Sequence, residues 1–294
     1  MDFKKLIEEQ GFSDFPVGIG GCKNYQIGFD VCPYDLYVFD EKSEPEKILQ
    51  YHDQYIVIHH ASLSETKSKN LLKYDDLKII QDASWEMRMF LSKINEKRFS
   101  LFADFAKNCL IESLFCCQKT KEAIESSDAF APCWQKCASY LLADAISSVN
   151  HLISGPSHML ESLRKLSKNN INEHISIVTQ TVGIERAIPS LLERMLKSTI
   201  GFSDLVEKNN HSQIIQVKHD YFIKNSMLSD CYFYLGYINK ENFVRVKDTL
   251  NRQPDLIYIL KIAFDVEADS NLLLHQADLI QNSSNEILGI ISKI

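Results

Sequence analysis

The chain has 294 residues, 45% of them hydrophobic, with a formal net charge of −7 and a pI near 5.7. This is enough apolar material for one large or two ordinary domains with a substantial core. The acidic balance excludes general electrostatic binding to nucleic acid, which needs a concentrated excess of Lys and Arg. No apolar run approaches the ~18 residues of a membrane helix, and Met1-Asp2-Phe3-Lys4-Lys5 lacks the apolar core of a secretory signal. The sequence therefore predicts a cytoplasmic protein with no membrane partner.

In chain order, Phe3 to Gln10 reads as a short opening helix and Val17 to Ile19 as a brief strand running into Gly20-Gly21. Tyr34 to Phe39 reads as a second strand, Asp40 to Glu46 as a polar loop, and Tyr55 to His60 as a third strand. Tyr74 to Asp82 holds a short apolar strand ending in an acid, ahead of a polar helix from Trp85 to Arg98. From Phe99 the spacing changes. Apolar residues recur at three and four positions, through Leu101, Phe105, Cys109 and Cys116, then Trp134, Cys137, Ala138 and Leu141, as in a helical bundle.

Gly155-Pro156 breaks one helix, with Pro156 and Ser157 suited to start the next, and Lys168-Asn169-Asn170 marks a loop. Ile184 to Val206 reads as a helix entered near Gly183 and broken around Gly201, with Pro189 in its first turn or at a kink. Asn209-Asn210-His211 reads as a turn, followed by helices around Tyr221 to Leu250 and Leu256 to Ile294. The expected class is α+β: a small mixed-sheet domain over residues 1–98, then an all-α helical domain over 99–294.

The chemistry-bearing segment is Gly20-Gly21-Cys22-Lys23 followed by Tyr34-Asp35-Leu36-Tyr37-Val38. A glycine turn lets a ligand approach the backbone, and turn N–H groups can meet a phosphate. Alternate residues of a strand share one face, so acids at i and i+2 can jointly hold a divalent ion. The pattern resembles the nucleotidyltransferase superfamily, in which a strand ending in Gly-Gly or Gly-Ser is followed by a strand reading Asp-apolar-Asp-apolar. The order of the segments that follow is similar to kanamycin-type and minimal nucleotidyltransferases carrying a helical C-terminal domain.

The resemblance implies that Asp35 is the catalytic and metal-holding acid, that Gly20, Gly21, Cys22 and Lys23 hold nucleotide phosphates, and that Mg²⁺ and a nucleoside triphosphate are the ligands. The sequence departs from the pattern in either frame. With Asp35 as the second acid, the first is Pro33; with Asp35 as the first, the second is Tyr37, a poor ligand for a hard cation. Cys22 stands where the family has Ser, and a thiol is the poorer partner for phosphate. Asp40 lies at odd separation from Asp35 and so belongs to the opposite face of a regular strand, while Asp30 falls in the loop. A third acid is expected on Tyr55 to Ala61, which has none; His59 and His60 read there as a hydrogen-bonded edge feature rather than a metal pair.

The expectation is thus a nucleotidyltransferase-like protein with degraded transfer chemistry and a residual nucleotide-binding or regulatory role. Two rivals stay open. One is an active metal-dependent transferase moving a nucleoside monophosphate to a hydroxyl, with Asp30 or His59 as the partner of Asp35. The other is a helical assembly module forming a homo-oligomer.

The eight cysteines show no Cys-x-x-Cys spacing, and Cys133 and Cys137, although on one helix face, read as core packing. Glu185-Arg186 and Glu193-Arg194 read as solvated charges, and Tyr232, Phe233, Tyr234 and Tyr237 as core or subunit contact. There is no Walker loop, no His-Glu-x-x-His, no Gly-x-Ser-x-Gly and no Arg–His pair of the HEPN ribonuclease type.

Overall fold

A computed structural model describes residues 1–24, 28–152, 155–206, 211–250, 256–266 and 269–293, with backbone alone at 244 and 246–250. The fold is α+β. The chain divides into two compact units: Met1–Phe102 with Asn209–Ile214, and Ala103–Lys208 with Ile215–Ile294.

The first unit contains α1 (Phe3–Glu9), β1 (Val17–Gly20), β2 (Tyr34–Val38), β3 (Lys47–Tyr51), β4 (Gln54–His60), α2 (Ser68–Lys73), β5 (Lys78–Gln81) and α3 (Glu86–Glu96). Asp2 starts α1 by accepting the Lys4 and Lys5 amides at 3.1 and 3.2 Å, which satisfies two donors that a helix start leaves unpaired. The five strands lie in the order β3-β4-β2-β1-β5, with β2 and β4 parallel and the other pairs antiparallel.

Period-two alternation separates the faces of this sheet. Leu36 and Val38 of β2 and Ile56 and Ile58 of β4 meet Leu6, Ile7 and Val17 in one buried cluster. Each such side chain contributes about 1.5–3 kcal/mol when fully buried. Asp35 and Tyr37 are left for the opposite face, together with His59.

Strand β3 is absent from the sequence expectations. Its hairpin to β4 turns at His52-Asp53, with His52 at φ +54°. A two-residue hairpin turn usually announces itself by Gly or Asn-Gly, and this one does not. As a result β4 is an inner strand with partners on both sides, not an edge.

The second unit is helical: most of α4 (Arg98–Glu125), then α5 (Ala131–Val149), α6 (Met159–Arg164), α7 (Ile175–Val182), α8 (Pro189–Val206), most of α9 (His211–Lys224), α10 (Leu228–Leu250), α11 (Leu256–Phe264) and α12 (Ser270–Ile291). Gly183 at φ +79° ends α7, and a short 3₁₀ turn at Ile184–Arg186 precedes α8, which Pro189 opens. The expected single helix from Ile184 therefore starts later, and Gly201 does not break it. Burial of Met195, Leu196 and Phe202 on one face of α8 outweighs the ~1 kcal/mol helix penalty of a glycine.

The helix expected around Tyr221 to Leu250 is two helices, α9 from His211 to Lys224 and α10 from Leu228, so His211 begins a helix and not a turn, and the last helical stretch is also two helices, α11 and α12. Asn209 and Asn210 of the expected turn lie outside the described residues. Among those described, no helix is long and apolar enough to cross a membrane.

Candidate functional site

The antiparallel register of β1 and β2 sets Gly20 opposite Asp35. Gly21, at φ +82°, presses so closely on Asp35 that a Cβ there would stand 2.1 Å from Oδ2. A Cβ at Gly20 would meet Leu77 at 2.7 Å and the Tyr37 ring at 3.3 Å. Both glycines are required by contacts within the protein itself.

Asp35 does not stand alone. The parallel pairing of β2 and β4 sets Tyr37 beside His59, and the two rings stack at 4.6 Å and 15°. His59 Nε2 lies 3.0 Å from Asp35 Oδ1, and His59 Nδ1 lies 2.9 Å from Glu46 Oε1. Glu46 Oε2 in turn lies 3.4 Å from His211 Nε2. The result is a chain of alternating acid and imidazole: Asp35, His59, Glu46, His211.

Burial alone would hold the His59 ring neutral. Hydrogen bonds to Asp35 and Glu46, and the charges of both, outweigh it and push its pKa up to about 9. This shift favours the imidazolium form, which donates from both nitrogens. Burial would raise the Glu46 carboxyl, but hydrogen bonds from His211 and His59, with the charges of His59 and Lys73, hold it well below the usual carboxylate range.

Neither Glu46 nor His211 was singled out from the sequence. Glu46 closes a polar loop, and His211 comes from a segment far along the chain. The one available signal was a histidine on the strand where a third acid was expected.

The other candidates fall around this chain in different ways. Lys23 donates its ammonium to Gln54 Oε1 and stands 4.7 Å from the Tyr34 ring centroid; burial pulls its pKa down. Asn24 N donates to Gly21 O at 3.0 Å, closing the turn that holds Cys22 and Lys23. A Cβ at Gly28 would come within 2.9 Å of the Lys23 N and Cα, so the returning limb of the loop rests on that turn. Asp30 is exposed, and its charge acts on Lys23.

Asp40 accepts from His60 Nδ1 at 2.8 Å, with both side chains nearly excluded from solvent. By strand parity His60 lies on the opposite face from His59. Among the described residues, no group of three candidate metal-ligating atoms within 4.8 Å of one another includes Asp35.

In the helical unit, Cys133 and Cys137 are buried thiols, and burial pushes Cys133 up to about 12. Tyr232, Phe233 and Tyr234 are core residues. Arg186 is exposed and also pairs with Asp265 at 2.8 Å, and Asp265 accepts from Tyr232 Oη at 2.8 Å. Glu193 pairs with Lys197 one turn on, at 3.5 Å.

No family model matches the chain, and no curated protein matches it. A solved nucleotidyltransferase-like protein from Exiguobacterium sibiricum 255-15 is similar over 87% of this chain and 89% of its own, at 13% identity and a TM-score of 0.37.

Proposed function

We propose that the sheet unit is a nucleotidyltransferase-like domain in which a protein imidazolium stands in for divalent metal, and that the protein binds a nucleotide in a regulatory role without transferring it. The observation that carries this reading is His59, hydrogen-bonded through both ring nitrogens between Asp35 and Glu46, whose bonds and charges raise its pKa.

The donor set around Asp35 does not suit Mg²⁺, which takes six oxygen ligands at about 2.1 Å. Asp35 Oδ1 already accepts from a cation, and Oδ2 lies against Gly21. Tyr37, in the second acid's place, offers a phenol. Both His59 nitrogens are engaged, so the ring has no lone pair to give, and its positive charge repels a second cation. The remaining attraction for a nucleotide is the backbone of the Gly20 to Lys23 turn.

The test is transfer of labelled ATP and GTP to the protein and to hydroxyl acceptors, with calorimetry of both nucleotides in magnesium and in chelator. The expected result is no magnesium-dependent labelling and weak binding that is the same in both buffers. Magnesium-dependent labelling abolished by Asp35→Ala overturns the proposal in favour of an active transferase. Absence of heat with either nucleotide in both buffers removes the ligand and favours the helical assembly reading.

A further inference from the structure

Cys22 and Cys32 close the two ends of the loop that joins β1 to β2, and their sulfurs lie within 4.8 Å of each other. Cys22 follows Gly21, which rests on Asp35, and Cys32 stands three residues before Asp35. All eight cysteines are present as thiols; seven are buried and Cys22 is half-exposed. Lys23, between the pair in sequence, has its ammonium close enough to interact electrostatically with both sulfurs. A nearby cation favours the thiolate, the nucleophilic form.

In the helical unit, burial pushes Cys116, Cys117, Cys133 and Cys231 up to about 12. Those thiols stay protonated and inert at neutral pH.

We infer that Cys22 and Cys32 form a reversible redox couple, with Cys22 as the peroxide-reactive thiol and Cys32 as the resolving one. The Cys22 thiolate attacks one oxygen of hydrogen peroxide; the O–O bond breaks, and hydroxide leaves with the thiol's proton as water. Sulfur is oxidised to the sulfenic acid. The Cys32 thiolate attacks that sulfur, an S–S bond forms, the S–O bond breaks, and the second oxygen leaves as water with the Cys32 proton. Two thiols are oxidised and one peroxide is reduced to two waters. Bridging the pair draws sulfurs that lie within 4.8 Å of each other to an S–S distance of about 2.05 Å. The bridge ties the loop across its base and fixes the turn beside Asp35. A thiol reductant reverses it.

The experiment uses the full chain, stripped of metal by chelator, titrated with hydrogen peroxide, alkylated and digested with trypsin. Cleavage after Lys23 separates the two cysteines onto Leu6–Lys23 and Asn24–Lys42, so the bridge is read as these peptides joined. The expected product is this one linked pair, two hydrogens lighter than its parts and reversed by dithiothreitol, while the cysteines of the helical unit are alkylated only after denaturation. Cys32→Ser should leave Cys22 as a sulfenic acid that is trapped by dimedone, and Cys22→Ser should abolish both signals. The wild-type map does not depend on how the variants fold. If other cysteines oxidise first, if the bridge forms no faster in the native chain than in denaturant, or if both thiols stay alkylatable throughout, the inference fails.

Discussion

Asp35 in the sheet unit and Asp144 in the helical unit are built from the same three parts, a carboxylate, a cation and a tyrosine, with different results. Asp144, on α5, accepts from Lys240 at 2.7 Å and from Tyr237 Oη at 2.8 Å, both on α10, and the ammonium lies 3.8 Å from the Tyr237 ring centroid. Lys240 and Asp144 keep only 7% and 6% of their side-chain exposure. Burial would strip Lys240 of its proton, but Asp144, Tyr237 and Glu241 outweigh it and hold its pKa well above the ordinary value.

At Asp35 the cation is an imidazole, the tyrosine stacks on that ring, and His59 and Asp35 retain 14% and 24% exposure. The first arrangement is a permanent charge pair that fastens two helices. The second can be discharged by pH and lies within reach of solvent, which is why the functional reading rests on Asp35 and not on Asp144.

The largest effect expected from this contrast is at Lys240. Lys240→Met strands the Asp144 charge in the core and should cost about 3–5 kcal/mol in denaturant unfolding, whereas adding Asp144→Leu should restore most of it. A loss below about 1 kcal/mol in the single variant would mean that solvent, not Lys240, compensates Asp144.

The next effect separates the two sites by pH. The folded His59 pKa, about 9, is raised above its ordinary 6.5. Its stabilisation is therefore complete below pH 6.5, declines as pH rises, and is gone above about 9. The gap corresponds to roughly 3 kcal/mol, shared with the acids it pairs with. Glu46 is depressed, so its part is present above the ordinary 4.5 and is lost as acid takes the pH down through the folded value. Urea unfolding of wild type and His59→Gln at pH 6 and pH 10 reads the difference. Equal pH dependence in the two proteins would sink the imidazolium assignment, and the Lys240 pair should contribute nothing across this window.

The smallest effects come from two glycines and have opposite signs. Gly21→Ala places a methyl where φ is +82° and Asp35 is already in contact, and should cost about 1–2 kcal/mol while shrinking the alkaline loss, because Asp35 is pushed off His59. Gly201→Ala, in an exposed and uncrowded turn of α8, should stabilise by about 0.5–1 kcal/mol. Thermal melts of both variants check the pair.

These sites differ in how far the sequence foretold them. The neighbourhood of Gly20 and Asp35 was legible because a glycine turn and two apolar strands leave few ways to pair. The change to helices after Phe99 was legible because period two gives way to period 3.6. Strand β3 was not, since its turn carries His52 where glycine is the usual sign.

The partners of His59 were hidden for a different reason. Glu46 is 13 positions from His59 and His211 far beyond it, and no local pattern encodes a contact made by tertiary packing. Asp144 and Lys240, 96 positions apart, were invisible on the same grounds. His59 and His60 lie on opposite faces of β4, the first paired with Asp35 and Glu46 and the second with Asp40.

The sheet unit takes its short segment Asn209–Ile214 from beyond a long run of the helical unit. A fragment ended at Phe102 would keep every strand yet leave Glu46 without His211. The two units are therefore a poor pair for exchange by recombination: a single crossover between them severs one from a residue it depends on.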